Sequence, residues 1–141
     1  MKPAEYHTII EFKVRDYECD LQGVVNNATY QNYMEHARHE LLRFQNLDFA
    51  KLHSEGIDPV LVHVDIDYLS ALKSNDTFIV CTRVELESRA RCIFFQDIFR
   101  LPDHTPTVNA KMTAMVLKNG KPVRLPPEFI ALTENLARLK V

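Results

Sequence analysis

One change of period constrains this chain more than any other feature. Between Tyr30 and Phe44 the apolar residues recur at helical spacing. Tyr30, Tyr33, Met34, Ala37, Leu41 and Phe44 fall at i, i+3, i+4, i+7, i+11 and i+14. Around a helix they form a stripe roughly 100° wide, the width of a face turned to a core. Glu35, Arg38, His39 and Arg43 fall on the other side. From Pro59 the period drops to two. Val60, Val62, Val64, Ile66 and Tyr68 alternate with Leu61, His63, Asp65 and Asp67, as in a half-buried strand.

The flanking segments extend this pattern. In residues 7–14, Ile10, Phe12 and Val14 alternate with Glu11 and Lys13, which predicts an opening strand. The helix is expected to begin at Ala28. Further strands are expected near 76–88, 90–101 and 106–118. Ile93-Phe94-Phe95 is apolar on both faces, which suits a central strand. Asn119-Gly120 marks a turn, and a short helix is expected to close the chain after Pro126-Pro127. Short connections between strands imply antiparallel neighbours. One helix covers one face of such a sheet and leaves the rest to a second subunit. The expectation is an α+β fold: a curved, five-stranded antiparallel sheet wrapped around one long helix, assembled as a homo-oligomer.

Length and composition remove several alternatives. A chain of 141 residues is expected to form one domain spanning 1–141. A net charge of -2 argues against a basic nucleic-acid surface. The three cysteines, Cys19, Cys81 and Cys92, are odd in number and form no C-x-x-C pair. Neither a disulfide framework nor a metal site is expected. The start, MKPAEYHTII, lacks the apolar region of a signal peptide, and no apolar run nears the ~18 residues that span a bilayer. A reduced, cytoplasmic protein is expected.

The chemistry concentrates in RDYECDLQGVVNNATY, residues 15–30. A helix N-terminus presents unpaired N–H groups and a partial positive charge. Aimed at a carbonyl, these stabilise the oxyanion of acyl transfer. Gly23 lets the chain turn and a ligand approach. Val24 and Val25 supply a dry wall, and Asn26 or Asn27 caps the helix. Asp20 lies in the approach loop, placed to attack a carbonyl or to deprotonate a water. A capped helix with a solvated aspartate accounts for the same residues, since D-x-x-G alone is a weak pattern.

The longer run R-D-Y-E-C-D-L-Q-G-V-V-N-N-A-T-Y-x-x-Y-x-E-H-A-R resembles the signature of hotdog-fold thioesterases of the 4-hydroxybenzoyl-CoA thioesterase class. The segments D-Y-L-S-A-L-K-S-N-D (67–76) and N-G-K-P-V-R-L-P (119–126) resemble family segments too, so the likeness covers nearly the whole chain. V-N-N-A followed by H-x-R-H-E-L-L is most similar to plant acyl-lipid and methylketone-synthase thioesterases, which act on fatty acyl or 3-ketoacyl groups on acyl carrier protein. The resemblance implies a long helix in a five-stranded antiparallel wrap. It implies Asp20 as nucleophile or general base and the backbone N–H near Asn27 as the group that polarises the thioester carbonyl. It implies Gly23 and Val24 as loop-shaping residues, and active sites at a dimer interface, commonly in tetramers. Many bacterial relatives carry Tyr-His or Tyr-Pro where this chain has Asn26-Asn27. That difference removes any side-chain role of the histidine and keeps the backbone donor.

Other residues supplement the site. His63 faces away from the apolar stripe of its strand, toward substrate or an interface. Lys73, Arg83, Arg89 and Arg91 are basic residues around two strand connections, suited to the phosphates of CoA or an acidic carrier surface. Interleaved Asp76, Glu85 and Glu87 also fit an ordinary mixed surface. Phe94, Phe95, Phe99, Met112 and Met115 are expected in the core, and nothing marks Cys19 as a nucleophile. The leading reading is a hydrolase of acyl-CoA or acyl-carrier-protein thioesters. It needs no metal or redox cofactor, since CoA or phosphopantetheine belongs to the substrate. Its rivals are a non-catalytic acyl-thioester-binding sensor and a hotdog dehydratase. The entrance loop has no histidine for the latter.

Overall fold

The computed structural model describes residues 5–134 and the backbone of residues 139–140. Strand β1 (Thr8–Lys13) leads through a 3-10 turn (Asp16–Glu18) into the long helix α1 (Asn27–Phe44). A short helix α2 (Phe49–Ser54) follows, then β2 (Ile57–Tyr68), β3 (Thr77–Leu86), β4 (Arg91–Arg100) and β5 (Thr105–Lys118). The chain ends with β6 (Lys121–Val123), α3 (Pro127–Leu132) and β7 (Leu139–Lys140). The sheet order is β2-β5-β4-β3-β1-β7, with β6 on β5. All pairings are antiparallel except β1 with β7. The five long strands lie close to the five expected segments. The two short strands and α2 are additions, and α3 is followed by β7 instead of closing the chain.

Local chemistry fixes the ends of α1 and α2. Asn26 caps α1, its side-chain oxygen accepting from Ala28 N–H at 3.0 Å. Asp48 caps α2 in the same way through Ala50 N–H at 2.9 Å. Each cap satisfies a backbone donor that the first turn leaves free. Gly56, which leads into β2, has φ +77, and a Cβ built there meets the Asn119 side-chain oxygen at 2.3 Å. Asn119 N–H in turn donates to the Gly56 carbonyl at 2.8 Å, tying the two turns together.

The sheet curls around α1. Met34, Ala37 and Leu41 are fully buried against Phe78, Val80, Ile98 and Met112. Tyr33, Phe78 and Phe12 pack ring to ring. This wrap buries a wider arc of α1 than the stripe implies. Arg38, expected toward solvent, is 8% exposed, and Leu42 is buried beside it, while Phe44 at the stripe's end is exposed. A helix lying in a curved sheet is contacted around roughly half its circumference, and Arg38 falls inside that arc. Phe94 and Met112 are core residues as expected, whereas Phe95, Phe99 and Met115 are only half-buried. The Phe95 ring lies beneath the Arg83 guanidinium at 4.4 Å.

Strand β2 departs from its simple alternation. Its pairing with β5 slips between Leu61 and His63, leaving Val62 as a bulge. Pro59 and Leu61 therefore pair with Val116 and Ala114, and Val64, Ile66 and Tyr68 pair with Met112, Ala110 and Val108, all on the helix side. Val60 belongs to the opposite face. The expected stripe Val60–Val62–Val64 is thus split between two faces. Leu61, Val62, Val64 and Tyr68 stay exposed by 38–45% at the β2 end of the sheet.

Candidate active site at the entrance of the long helix

The segment before α1 folds back on itself. Cys19 pairs with Val25, and Asn26 N–H donates to the Glu18 carbonyl at 3.1 Å. Asp20 and Val24 close the tip, with Asp20 N–H donating to the Val24 carbonyl at 2.8 Å. This pairing sets Glu18 opposite Asn26 at the helix start and Asp20 at the tip of the same hairpin, opposite Val24. One carboxylate oxygen of Asp20 accepts from Gln22 N–H at 2.8 Å and from Val24 N–H at 3.4 Å. Gly23 holds φ +80 with open space where a Cβ would stand, so the backbone conformation, not crowding, selects glycine. Asp20 is exposed, flanked by the exposed apolar side chains of Tyr17 and Leu21.

At the helix mouth the donors are divided. Asn26 accepts Ala28 N–H with its side chain and Thr29 N–H with its carbonyl. Asn27 N–H has no acceptor among the described residues.

Five hydrogen bonds tether this entrance, and the helical pattern hides most of them. Tyr33 donates its hydroxyl to the Glu18 carboxylate at 2.9 Å, and Glu18 also accepts from Arg15 N–H at 2.8 Å. Burial, then the hydrogen bond to Glu18, pushes the Tyr33 hydroxyl far above its usual range. The Tyr30 hydroxyl accepts Leu72 N–H at 3.0 Å, and Val25 N–H donates to the Leu72 carbonyl at 2.9 Å. The Tyr68 hydroxyl of β2 reaches the Asn27 carbonyl at 3.4 Å. Sequence reading places Tyr30 and Tyr33 in the core by their rings. The available signal was that a buried tyrosine hydroxyl needs a partner.

The predicted site residues fall into two groups. Asp20, Gly23, Val24, Val25, Asn27 and Lys73 come together, since Val24 pairs with Lys73 across a β-bridge. Within that group Val25 is buried in the core, not set along a wall. Successive residues of an extended segment point to opposite sides, so only one of two adjacent valines faces a site there. His63 and Arg91 lie together elsewhere, on the outer sheet face, in a hollow shared with Asp65, Glu87 and Lys111. Arg89 sits in the β3–β4 connection, where its carbonyl accepts Leu125 N–H at 2.8 Å.

A second polar feature lies deeper along α1. A cavity of about 320 Å³ is bounded by Leu42, Phe49, Pro59, Leu61, Phe94 and Phe129, with Arg38, Glu35 and His39 in its wall. Arg38 donates to the Gln96 side-chain oxygen at 2.9 Å and touches the Met112 sulfur at 2.8 Å. Gln96 is fully buried, and its amide nitrogen donates to the Met34 carbonyl and the Thr82 hydroxyl, each at 3.0 Å. Burial pushes the Arg38 guanidinium down to about 10, opposed by the charge of Glu35, so it stays charged at neutral pH.

A long helix in an antiparallel wrap is the plan of a hotdog domain. The sequence matches the family model of the thioesterase-like superfamily over residues 14–132. A chloroplastic acyl-acyl carrier protein thioesterase of Arabidopsis thaliana is 41% identical over 124 residues, covering 87% of this chain. The chain spans 65% of that plant protein's length, just under two thirds. An acyl-CoA thioesterase of Haemophilus influenzae is 32% identical over 130 residues, covering 89% of this chain and 94% of its own length. A solved 1,4-dihydroxy-2-naphthoyl-CoA thioesterase from Synechocystis has the same fold, with a TM-score of 0.86 at 20% identity over 91% of this chain and 96% of that one. The chain belongs to the thioesterase-like superfamily and has its hotdog fold.

Proposed function

We propose that this protein hydrolyses an acyl thioester, carried on acyl carrier protein or CoA, to a free carboxylic acid and a thiol. The observation that carries this reading is the hairpin 18–26, which holds Asp20 at its tip and runs directly into α1 at Asn27, whose N–H has no acceptor among the described residues. In this reading the thioester carbonyl oxygen meets Asn27 N–H and the positive end of the helix, which stabilises the developing oxyanion. Asp20, oriented by Gln22 and Val24, either takes a proton from the attacking water or attacks the carbonyl carbon itself, in which case water then cleaves the mixed anhydride, releasing the acid and restoring the carboxylate. The thiolate leaves and is protonated. The chemistry asks for water, a base and a donor, and for no metal or redox group.

The relatives' names support both carriers, one acting on acyl carrier protein and one on CoA. Arg89, Arg91, Lys73 and His63 are proposed to meet the phosphates or the acidic carrier surface. The exposed apolar residues of β2 and the unpaired outer edge of that strand support a second copy docking there, as a dimer or a pair of dimers. No helix among the described residues is long and apolar enough to cross a membrane.

The test is a hydrolysis screen over acyl lengths on both carriers, with wild type and Asp20→Asn. Turnover by wild type and its loss in the variant are expected. Wild-type turnover in the variant on every thioester cleaved would remove Asp20 from the chemistry. Binding without turnover on any thioester would mark a sensor instead.

A further inference from the structure

The cavity beside Arg38 has a composition that a plain hydrocarbon pocket does not require. Its walls are mostly aliphatic and aromatic, yet the Arg38 guanidinium forms part of them, with Glu35 and His39 at the same wall. A buried cation is normally matched by a carboxylate, because leaving water without a counter-ion is costly. Here the hydrogen-bonding partner is a neutral amide, and the next neighbour is a thioether. Glu35, one turn earlier, is exposed and makes no ion pair with Arg38 among the described residues. Gln96 cannot swing away, since Met34 and Thr82 hold its other end. The chain thus maintains a fixed cation, with donors to spare, in the wall of an apolar cavity.

The cavity and the helix entrance share two walls. Tyr68 of β2 meets Asn27 at the entrance, and Pro59 and Leu61 of the same strand border the cavity. Helix α1 runs between them, with Arg38 roughly 16 Å along its axis from Asn27. An acyl group whose thioester sits at Asn27 N–H, running between α1 and β2, brings its remote part to Arg38.

We propose that Arg38 is a specificity-determining residue that hydrogen-bonds an oxygen on the acyl group, remote from the thioester, with that part of the acyl group seated in the cavity. The inference rests on the thioesterase reading and narrows it. The preferred substrates are acyl thioesters with a remote hydroxyl or carboxylate, and unsubstituted acyl groups of equal length are cleaved less well. A carboxylate forms a charge-paired bidentate contact, and a hydroxyl forms a single one.

The test compares plain, ω-hydroxy and ω-carboxy acyl-CoAs across matched lengths, using wild type, Arg38→Met and Arg38→Lys. At one window of length, wild type is expected to favour an oxygenated substrate by roughly ten- to a hundredfold in kcat/KM. The two oxygenated arms show which group is read. Arg38→Met is expected to erase the preference while keeping hydrolysis of plain substrates within a few fold. Arg38→Lys, which keeps the charge without the planar fork, retains part of it and serves if the methionine variant does not fold. Absence of a preference at every length, or equal loss on plain and oxygenated substrates, overturns the proposal. If wild type cleaves no thioester, the hydrolase reading fails on its own, and calorimetric binding of the same acyl-CoAs decides the role of Arg38. Tighter binding of oxygenated forms that vanishes in Arg38→Met supports it, and equal binding sinks it.

Discussion

The two halves of α1 are held by different means. Its entrance is exposed and shaped by backbone pairing, Cys19 with Val25, Val24 with Lys73 and Val25 with Leu72, with tyrosine hydroxyls tying that loop to the helix and to β2. Its middle is buried and ordered by side chains, through Arg38, Gln96, Thr82 and Met112. A backbone-built loop tolerates exchange of its exposed side chains without losing shape. A side-chain network in the core does not. Chemistry and stability are therefore expected to separate along one helix.

The largest expected effect is at the entrance. Asp20→Asn should lower kcat by roughly a hundred- to ten-thousandfold, the usual contribution of a positioned base, with an unchanged unfolding midpoint. A matching fall in stability would break the contrast. Gln96→Leu should do the reverse, costing roughly 3–5 kcal/mol in denaturant unfolding because it strands a buried charge. Smaller effects come from the tethers. Asn26→Ala should cost about 1 kcal/mol through the lost cap. Tyr33→Phe should cost about 1 kcal/mol and raise KM as the Glu18 loop loosens.

The smallest effect is a pH dependence. Burial holds the His7 and His39 imidazoles below their ordinary value near 6.5. The unfolded chain then binds protons that the folded chain refuses. Stability is full above 6.5 and falls with acidification toward the folded values. Thermal melts between pH 7 and pH 5, taken as a round working range around the unperturbed histidine value, should show this slope. His7→Gln should flatten part of it and leave the His39 part.

Much of this architecture was legible in the chain. The period of 3.6 located α1, and the period of two located β1 and β2, because burial on one face leaves a regular trace. The Asp20 loop stood out through its resemblance to a family signature, since on spacing alone a capped helix with a solvated aspartate accounts for the same residues. Arg38 was not legible, since a charged residue beside an apolar stripe reads as solvent-facing until the sheet is known to curl over it. The Val62 bulge was hidden for another reason. Val60, Val62 and Val64 keep a perfect alternation through it, so nothing in the residues marks the slip. Helix α2, six residues long, is too short to show a period. The pairing of β7 with β1 joins the two ends of the chain, beyond the reach of any local pattern.

The Val62 bulge also sets a rule for how this strand tolerates changes in length. Removing that single residue would restore a regular ladder and leave every other pairing in place. Residues 57–61 would keep their partners, with Pro59 and Leu61 still toward α1 and Asp58 and Val60 still outward. A deletion within the regular part of the ladder has no such spare residue and turns the residues beyond it onto the other face. The bulge is thus the one place in β2 where the strand can shorten without exchanging its two faces.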